Sequence, residues 1–319
     1  VRPRILVVIV NFRTPELTLD CLRSLEPEVR RVPDTRVVVV ENGSGDGSLE
    51  ALTRGVAERG YSGWVTLVPS AENLGFSGGN NLGIRRGGPA EFVLLLNSDT
   101  IVHEGCLERC LEVMKERPNA GAMSCRVLNS DGTNQNVARR FPTPLRTTFA
   151  TTGLPWKFPS LFGWADTEDS GWDRLTTARD VDWLGGAFLF LRSSAFDGEV
   201  QLDEDFFFYG EDVAVCFELA RRGWARHYDP AKTIVHLGGA SSDPSRMPSG
   251  KRAELRLRAR YLLMRKCFGM GAEGLIRSLD LGFTSARLLR AVASGDTRKQ
   301  QAAELRSQLG HIARGFVRA

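Results

Sequence analysis

Phe92-Val93-Leu94-Leu95-Leu96-Asn97-Ser98-Asp99-Thr100 decides the fold: five apolar residues in unbroken succession run into a polar turn that carries a carboxylate. A half-exposed strand would alternate, so a continuous run predicts a strand covered on both faces. Similar runs stand at residues 5–10, at Arg36-Val37-Val38-Val39-Val40, at Val65-Thr66-Leu67-Val68 and at residues 122–128. Helical spacing fills the gaps. Leu17, Cys21, Leu22 and Leu25 follow Pro15, and further segments fit around 49–58, 79–86 and 104–116. Strand–helix alternation predicts an α/β protein with a Rossmann-like, mostly parallel central sheet flanked by helices. Ligands of such sheets sit beyond the carboxyl ends of the strands. The runs end there in Asn11-Phe12-Arg13, in the stretch from Glu41 through Ser44 to Gly47, in Asn73 to Asn81, and in Asn97-Ser98-Asp99-Thr100.

From about 132 to 180 the periodicity fades and Pro, Thr and Trp accumulate, Trp172 among them, which predicts a loop region shaping a pocket. Order returns at Val181-Asp182-Trp183-Leu184-Gly185-Gly186-Ala187-Phe188. A helix is expected over 211–222, with Gly223 in the capping position. Residues 251–266 read as a strongly basic helix and 275–292 as an amphipathic one. The expected division is an α/β domain over 1–245, with halves over 1–130 and 131–245, and a basic helical region over 246–319.

The 319 residues are 42% hydrophobic and 25% charged, as in ordinary globular proteins. No apolar run reaches the roughly 18 residues of a spanning helix, and no secretory signal is expected. Cys21, Cys106, Cys110, Cys125, Cys216 and Cys267 form no CxxC pair, so reduced thiols in a cytoplasmic protein are expected. From Lys251 onward there are 15 Lys/Arg against 5 Asp/Glu, net +10; the overall charge is +4, so the preceding body is acidic. Such a tail packs on protein or docks on the inner face of an anionic membrane, and a homo-oligomer stays open. Nucleic acid is not expected, because few aromatics interleave with the charges.

Neither GxGxxG after the first strand nor GxxxxGK[ST] is present, so a nucleotide would be held another way. Asn97-Ser98-Asp99 reads as a plain turn or as a carboxylate that brings a divalent cation to a diphosphate. Glu211 and Asp212 open a helix, where acids complement the dipole; five carboxylates among four aromatics over 203–212 also suit a base at an apolar pocket wall. His236 follows Thr233-Ile234-Val235 and precedes Leu237-Gly238-Gly239-Ala240-Ser241, either as a structural residue or as a ligand.

Taken together, the segments from Ile5 to Ser241 resemble the inverting glycosyltransferases of family 2, which have the GT-A fold, and their rhamnosyltransferase-like branch in particular. Five ordered blocks carry the resemblance: Val8 to Phe12, Val40 to Ser48, Asn73 to Gly83, Leu95 to Thr100 and Phe206 to Asp212. It implies nucleotide-sugar contacts from Val10, Asn11, Glu41, Ser44, Asn73, Phe76, Asn80, Asn97, Ser98 and Asp99, with glycines of the Asn73 block letting the backbone approach the donor. It implies Mg2+ or Mn2+ on Asp99 and His236, Asp212 as general base, and donor or acceptor contacts from Trp183, Gly185, Gly186 and Glu211. Glu41 stands where the family usually has Asp, and Ala214 where a further Asp is common. The resemblance also implies transfer of one sugar, dTDP-rhamnose-like or from UDP, to a glycan, lipid-linked or small-molecule hydroxyl in polysaccharide biosynthesis. A sugar-nucleotide pyrophosphorylase and a non-catalytic carbohydrate-binding scaffold are the rival readings.

Overall fold

A computed structural model describes residues 4–167, 177–238, 249–294 and 299–317. Trp172, Gly239 to Ser241 and the 245/246 boundary lie outside the described residues. Backbone contacts divide the chain into two compact units, residues 1–140 with 169–246 and residues 141–168 with 247–319.

The first unit begins β1 (Ile5–Asn11), α1 (Pro15–Arg31), β2 (Thr35–Asn42), α2 (Ser48–Glu58), β3 (Val65–Ser70), α3 (Gly75–Gly87), β4 (Phe92–Asn97) and β5 (Thr100–Val102). It continues through α4 (Cys106–Glu116), β6 (Ala120–Leu128) and β7 (Ala138–Arg139). In the second unit come α5 (Pro144–Thr152), α6 (Leu154–Lys157) and α7 (Pro159–Phe162). The first unit resumes with β8 (Arg179–Asp180), β9 (Trp183–Leu184), β10 (Phe188–Arg192), α8 (Glu211–Arg221) and β11 (Ala225–His236). The second ends in α9 (Ser249–Phe268), α10 (Met270–Ala293) and α11 (Lys299–Val317).

Among the described residues the main sheet runs β3-β2-β1-β4-β10-β6-β11-β5, with β8 on β11. β3, β2, β1 and β4 are parallel, as the unbroken apolar runs require. β10 enters antiparallel between β4 and β6, and β11 returns parallel to β6. The sheet is mostly parallel, in a GT-A arrangement. Ile5 to Ile9 and Val37 to Val40 have no accessible surface, so the covered faces form the core.

Helix α3 shows what the glycines of its block do. Gly79, Gly83 and Gly87 recur every fourth residue, one face of a helix. A Cβ at these positions would come within 2.9 Å of Val10, 2.4 Å of Val8 and 2.4 Å of Leu6, three successive residues of one face of β1. At these three positions the absence of a side chain lets the helix lie against β1. Gly75, at φ +72°, has Phe207 O in the space of its missing Cβ, and Phe76 N–H donates to that carbonyl at 2.7 Å. Ser77 Oγ donates to Phe206 O, and Asn81 bonds Leu202 and Glu204. The front of α3 therefore anchors the loop that leads into α8.

Glu28 supplies a second tie. It is fully buried on α1, and its carboxylate accepts from Gly105 N at 2.6 Å and Leu107 N at 2.8 Å, filling unpaired donors at the start of α4 with the sign its dipole favours.

In the second unit Tyr261, Met264, Ile276 and Ile312 form a core. Asp280, buried on α10, accepts from Tyr261 Oη at 3.0 Å and pairs with Arg260 of α9 at 3.1 Å, while Arg260 also donates to Thr151 of α5. None of the six cysteines is in a disulfide, and five of them are buried. No helix among the described residues is long and apolar enough to cross a membrane.

Candidate active site

The polar turn after β4 lies where the sheet rule directs. Asp99 is buried, and its Oδ1 stands 3.1 Å from His236 Nε2, because β11 pairs with β5 in a register that sets His236 opposite Thr100. Leu237 N–H donates to Asp99 O, locking the two strand ends together. Asn97 Nδ2 approaches the same ring nitrogen at 3.2 Å.

Gln135 orients the imidazole. Its Nε2 donates to Asn129 Oδ1 and to His236 O, which turns Oε1 toward His236 Nδ1 at 2.8 Å. An amide oxygen only accepts, so Nδ1 donates to Gln135 and Nε2 is the ring nitrogen turned toward Asp99. Two neighbouring ligands of an octahedral cation, each about 2.1 Å from it, lie about 3 Å apart, so the pair fits a divalent ion. Among the described residues no third His, Cys, Asp or Glu joins them. Such an ion would take its remaining ligands from phosphate oxygens and water.

The turn after β9 connects this corner to Asp212. Ala187 O accepts from Asn97 N at 3.1 Å, and the preceding Gly186 N–H donates to Asp212 Oδ2 at 3.1 Å. Gly185 N–H donates to Val137 O. At Gly186 a Cβ would lie 3.6 Å from Asp212 Cβ and 3.9 Å from the Phe76 ring, so the glycine, the base candidate and the donor-block aromatic share one corner. Asp212 Oδ1 accepts from Val213 N at 2.8 Å.

The electrostatics separate two adjacent acids. Burial raises the Asp212 carboxyl; N–H groups of Val213 and Gly186 and the charge of Arg139 oppose it. Glu211 is buried with Oε2 unpartnered, and burial, reinforced by the Asp212 charge, pushes it up to about 8. Burial thus raises both carboxyls, and the N–H groups of Val213 and Gly186 with the Arg139 charge favour ionisation of Asp212 over Glu211.

The other expected residues have defined places. Asn11 is fully buried, and its Oδ1 accepts from Thr14 and Thr18. Thr14 meets Ser98 Oγ at 3.2 Å, joining the β1 and β4 loops. Glu41 Oε1 accepts from Ser44 N, and Ser44 Oγ accepts from Arg13 N. Asn73 Oδ1 accepts from Asn42 and from Gly75 N, Asn80 Nδ2 donates to Phe76 O, and Val10 packs beside Gly79. Trp183 Nε1 donates to Arg140 O, and the Arg139 guanidinium lies 5.2 Å from the Trp183 ring. The structure gathers Phe76, Asn97, Asp99, Gly186, Asp212 and His236, with Asn11, Glu41 and Ser44 at the ends of the neighbouring strands. Gln135 and Arg139 were not foreseeable: both lie in the stretch without periodicity, and strand pairing alone brings them here.

The sequence model described as glycosyltransferase-like family 2 matches residues 3–260. An N-acetylglucosaminyl-diphospho-decaprenol L-rhamnosyltransferase of Mycobacterium tuberculosis is 31% identical over 213 residues, covering 63% of this chain and 66%, just under two thirds, of the relative. The low-salt glycan biosynthesis hexosyltransferase Agl10 of Haloferax volcanii is 26% identical over 270 residues, 84% of this chain and 77% of that one. A mannosyltransferase of Pyrobaculum calidifontis, solved with GDP-Man and Mn2+, superposes with a TM-score of 0.57 at 17% identity, covering 98% of this chain and 86% of the other.

Proposed function

The chain belongs to the glycosyltransferase-like family 2, and from that premise we propose that it moves one sugar from a nucleotide-diphosphate sugar to an acceptor hydroxyl, inverting the anomeric carbon. The observation that carries this reading is the Gly186-Ala187 turn, which bonds Asp212 through one residue and the Asn97–Asp99 turn through the next. A proton acceptor and a diphosphate-side corner are thereby held at the same strand ends.

A sugar hydroxyl is a weak nucleophile, and Asp212 takes its proton as the new glycosidic bond forms. Its raised pKa brings the base closer to the pH at which it works. Glu211 keeps its proton, so no second negative charge competes for the acceptor's hydrogen. Asp99 and His236 would hold Mg2+ or Mn2+, which supplies positive charge against the negative charge growing on the departing diphosphate. Attack opposite the leaving group inverts the centre.

For the donor, the relatives' names support a rhamnosyl or other hexosyl nucleotide, dTDP-rhamnose-like or a UDP-sugar. For the acceptor, the diphospho-decaprenol named in the mycobacterial relative supports a lipid-linked diphosphate, and the Arg139 charge near Asp212 suits one. The test is incubation of the full chain with a panel of dTDP-, UDP- and GDP-sugars, Mn2+ and a polyprenyl-diphosphate glycan, with product anomers assigned by NMR. Retained anomeric configuration, or neither nucleotide release nor ligand-raised melting temperature with any donor, would refute the reading.

A further inference from the structure

Twelve large hydrophobic side chains are strongly exposed among the described residues, and eleven belong to the second unit; Phe207 is the exception. Scattered apolar exposure is ordinary, but segregation of this kind marks a surface that meets something apolar. On α6, α7 and the turn after them, Trp156 is 58% exposed and Leu161 68%, with Phe158 and Trp164 beside them. The Lys157 ammonium lies over the Phe158 ring, 5.6 Å from its centroid.

Helix α10 repeats the pattern in a longer element. Glu273, Ile276, Asp280, Thr284 and Ala291 are buried on one side. Met270, Leu275, Leu281, Leu289 and Val292 are exposed and fall within an arc of roughly 140° at 3.6 residues per turn. The remaining positions in that arc are Gly, Ser, Ala or Leu, so the outer face of this 24-residue helix carries no charge. Arg290, also exposed, stands about 60° beyond one edge of that arc.

We propose that the second unit is a membrane-interface module, in which the uncharged face of α10 and the aromatic group of α6 and α7 enter the headgroup region of an anionic bilayer. The charge selects this occupant. The chain from Lys251 onward is net +10, so a second copy laid on this surface would meet its own charge, whereas an anionic lipid surface meets the opposite one. Aromatic rings with apolar bodies, an uncharged helix face and flanking Lys and Arg are the composition that settles at a lipid–water boundary. The tail's charge alone would place the contact in α9; the exposed side chains place it on α10 and on a segment a hundred residues earlier, about. The inference does not depend on the sugar-transfer reading, because vesicle binding is measured without donor or acceptor.

The experiment is flotation of the full chain with phosphatidylcholine vesicles, alone or with roughly one third phosphatidylglycerol. Binding to the anionic vesicles is expected. Trp156→Ser with Leu161→Ser, and Leu281→Ser with Leu289→Ser, should each weaken it at least tenfold, about 1.4 kcal/mol or more, with unchanged circular dichroism and melting temperature. Brominated lipid should quench the tryptophan fluorescence of the unaltered chain, and Trp156→Phe with Trp164→Phe, which keeps the apolar surface, should remove that quenching. Binding of both serine pairs equal to the parent chain would overturn the proposal, as would absence of quenching. A dimer that the serine pairs split, with no vesicle binding by any form, would overturn it in favour of a second copy.

Discussion

Replacing Gly83 by Ala tests the packing that fixes the donor-side helix. In an open helix interior the change stabilises by about 1 kcal/mol, because alanine restricts the unfolded chain and favours helix. Here the new methyl carbon would stand 2.4 Å from Val8 Cγ1 and 3.1 Å from Val40 Cγ2. Both valines are wholly buried and β-branched, with little freedom to rotate away. Overpacking of this kind costs about 1–3 kcal/mol, and with no yielding neighbour the upper end applies, leaving a net loss of about 2 kcal/mol. For a unit of this size that lowers the melting temperature by roughly 4–8 °C. Turnover should fall as well, because α3 carries the Gly75–Phe207 contact that anchors the loop before Asp212. Gly274→Ala on α10 is the control: nothing lies within 4 Å of its added carbon, so it should stabilise its own unit. Adding Val8→Ala to Gly83→Ala should recover part of the loss, as coupled neighbours do. Calorimetry of the three variants beside the parent chain decides. A Gly83→Ala midpoint at or above that of the parent chain would refute the ladder argument.

Asp212→Asn should lower turnover by about 10²- to 10⁴-fold while donor affinity, read by titration calorimetry, stays within a few-fold; more than about a third of parental turnover would assign the base elsewhere. Asp99→Ala and His236→Ala should each abolish the rise in melting temperature caused by Mn2+ with a nucleotide diphosphate, and Gln135→Leu should weaken metal affinity by about 10- to 100-fold by freeing the imidazole tautomer. Glu211 has a folded pKa of about 8 against an ordinary 4.5, so its contribution to stability is complete below 4.5 and is lost as pH rises toward 8. Glu211→Gln should flatten the decline in melting temperature across that window; an unchanged slope would show that Glu211 is ionised in the folded chain.

The strands that carry the site were legible wherever burial on both faces left unbroken apolar runs: β1, β2 and β4 follow from Ile5, Val37 and Phe92 onward. Strand β11 was legible only at Thr233-Ile234-Val235, because its first half, Ala225-Arg226-His227-Tyr228-Asp229-Pro230, holds no apolar run and the pairing with β6 slips between Asp229 and Thr233. The start of α3 was hidden by its glycines, which lower helix propensity but are what lets the helix meet β1. Pro27 lies inside α1 without ending it. The stretch read as a pocket-shaping loop holds α5, α6 and α7, whose apolar residues face outward as well as inward and so leave no clean period. Asp99, His236 and Asp212 could be named from sequence, but their coupling through Gly186-Ala187 depends on β10 inserting beside β4, which no local pattern encodes.

The bond from Arg260 to Thr151 bears on how this chain can be shortened. Because α5, α6 and α7 are rooted in helices that follow them by a hundred residues, about, cutting at Lys251 would not yield a clean catalytic fragment. It would remove α10, which packs on α5, and leave Thr151 without its guanidinium donor. A shortened chain meant for crystallisation should also replace residues 141–168 with a short polar linker; one that keeps them should precipitate where the doubly edited form stays in solution.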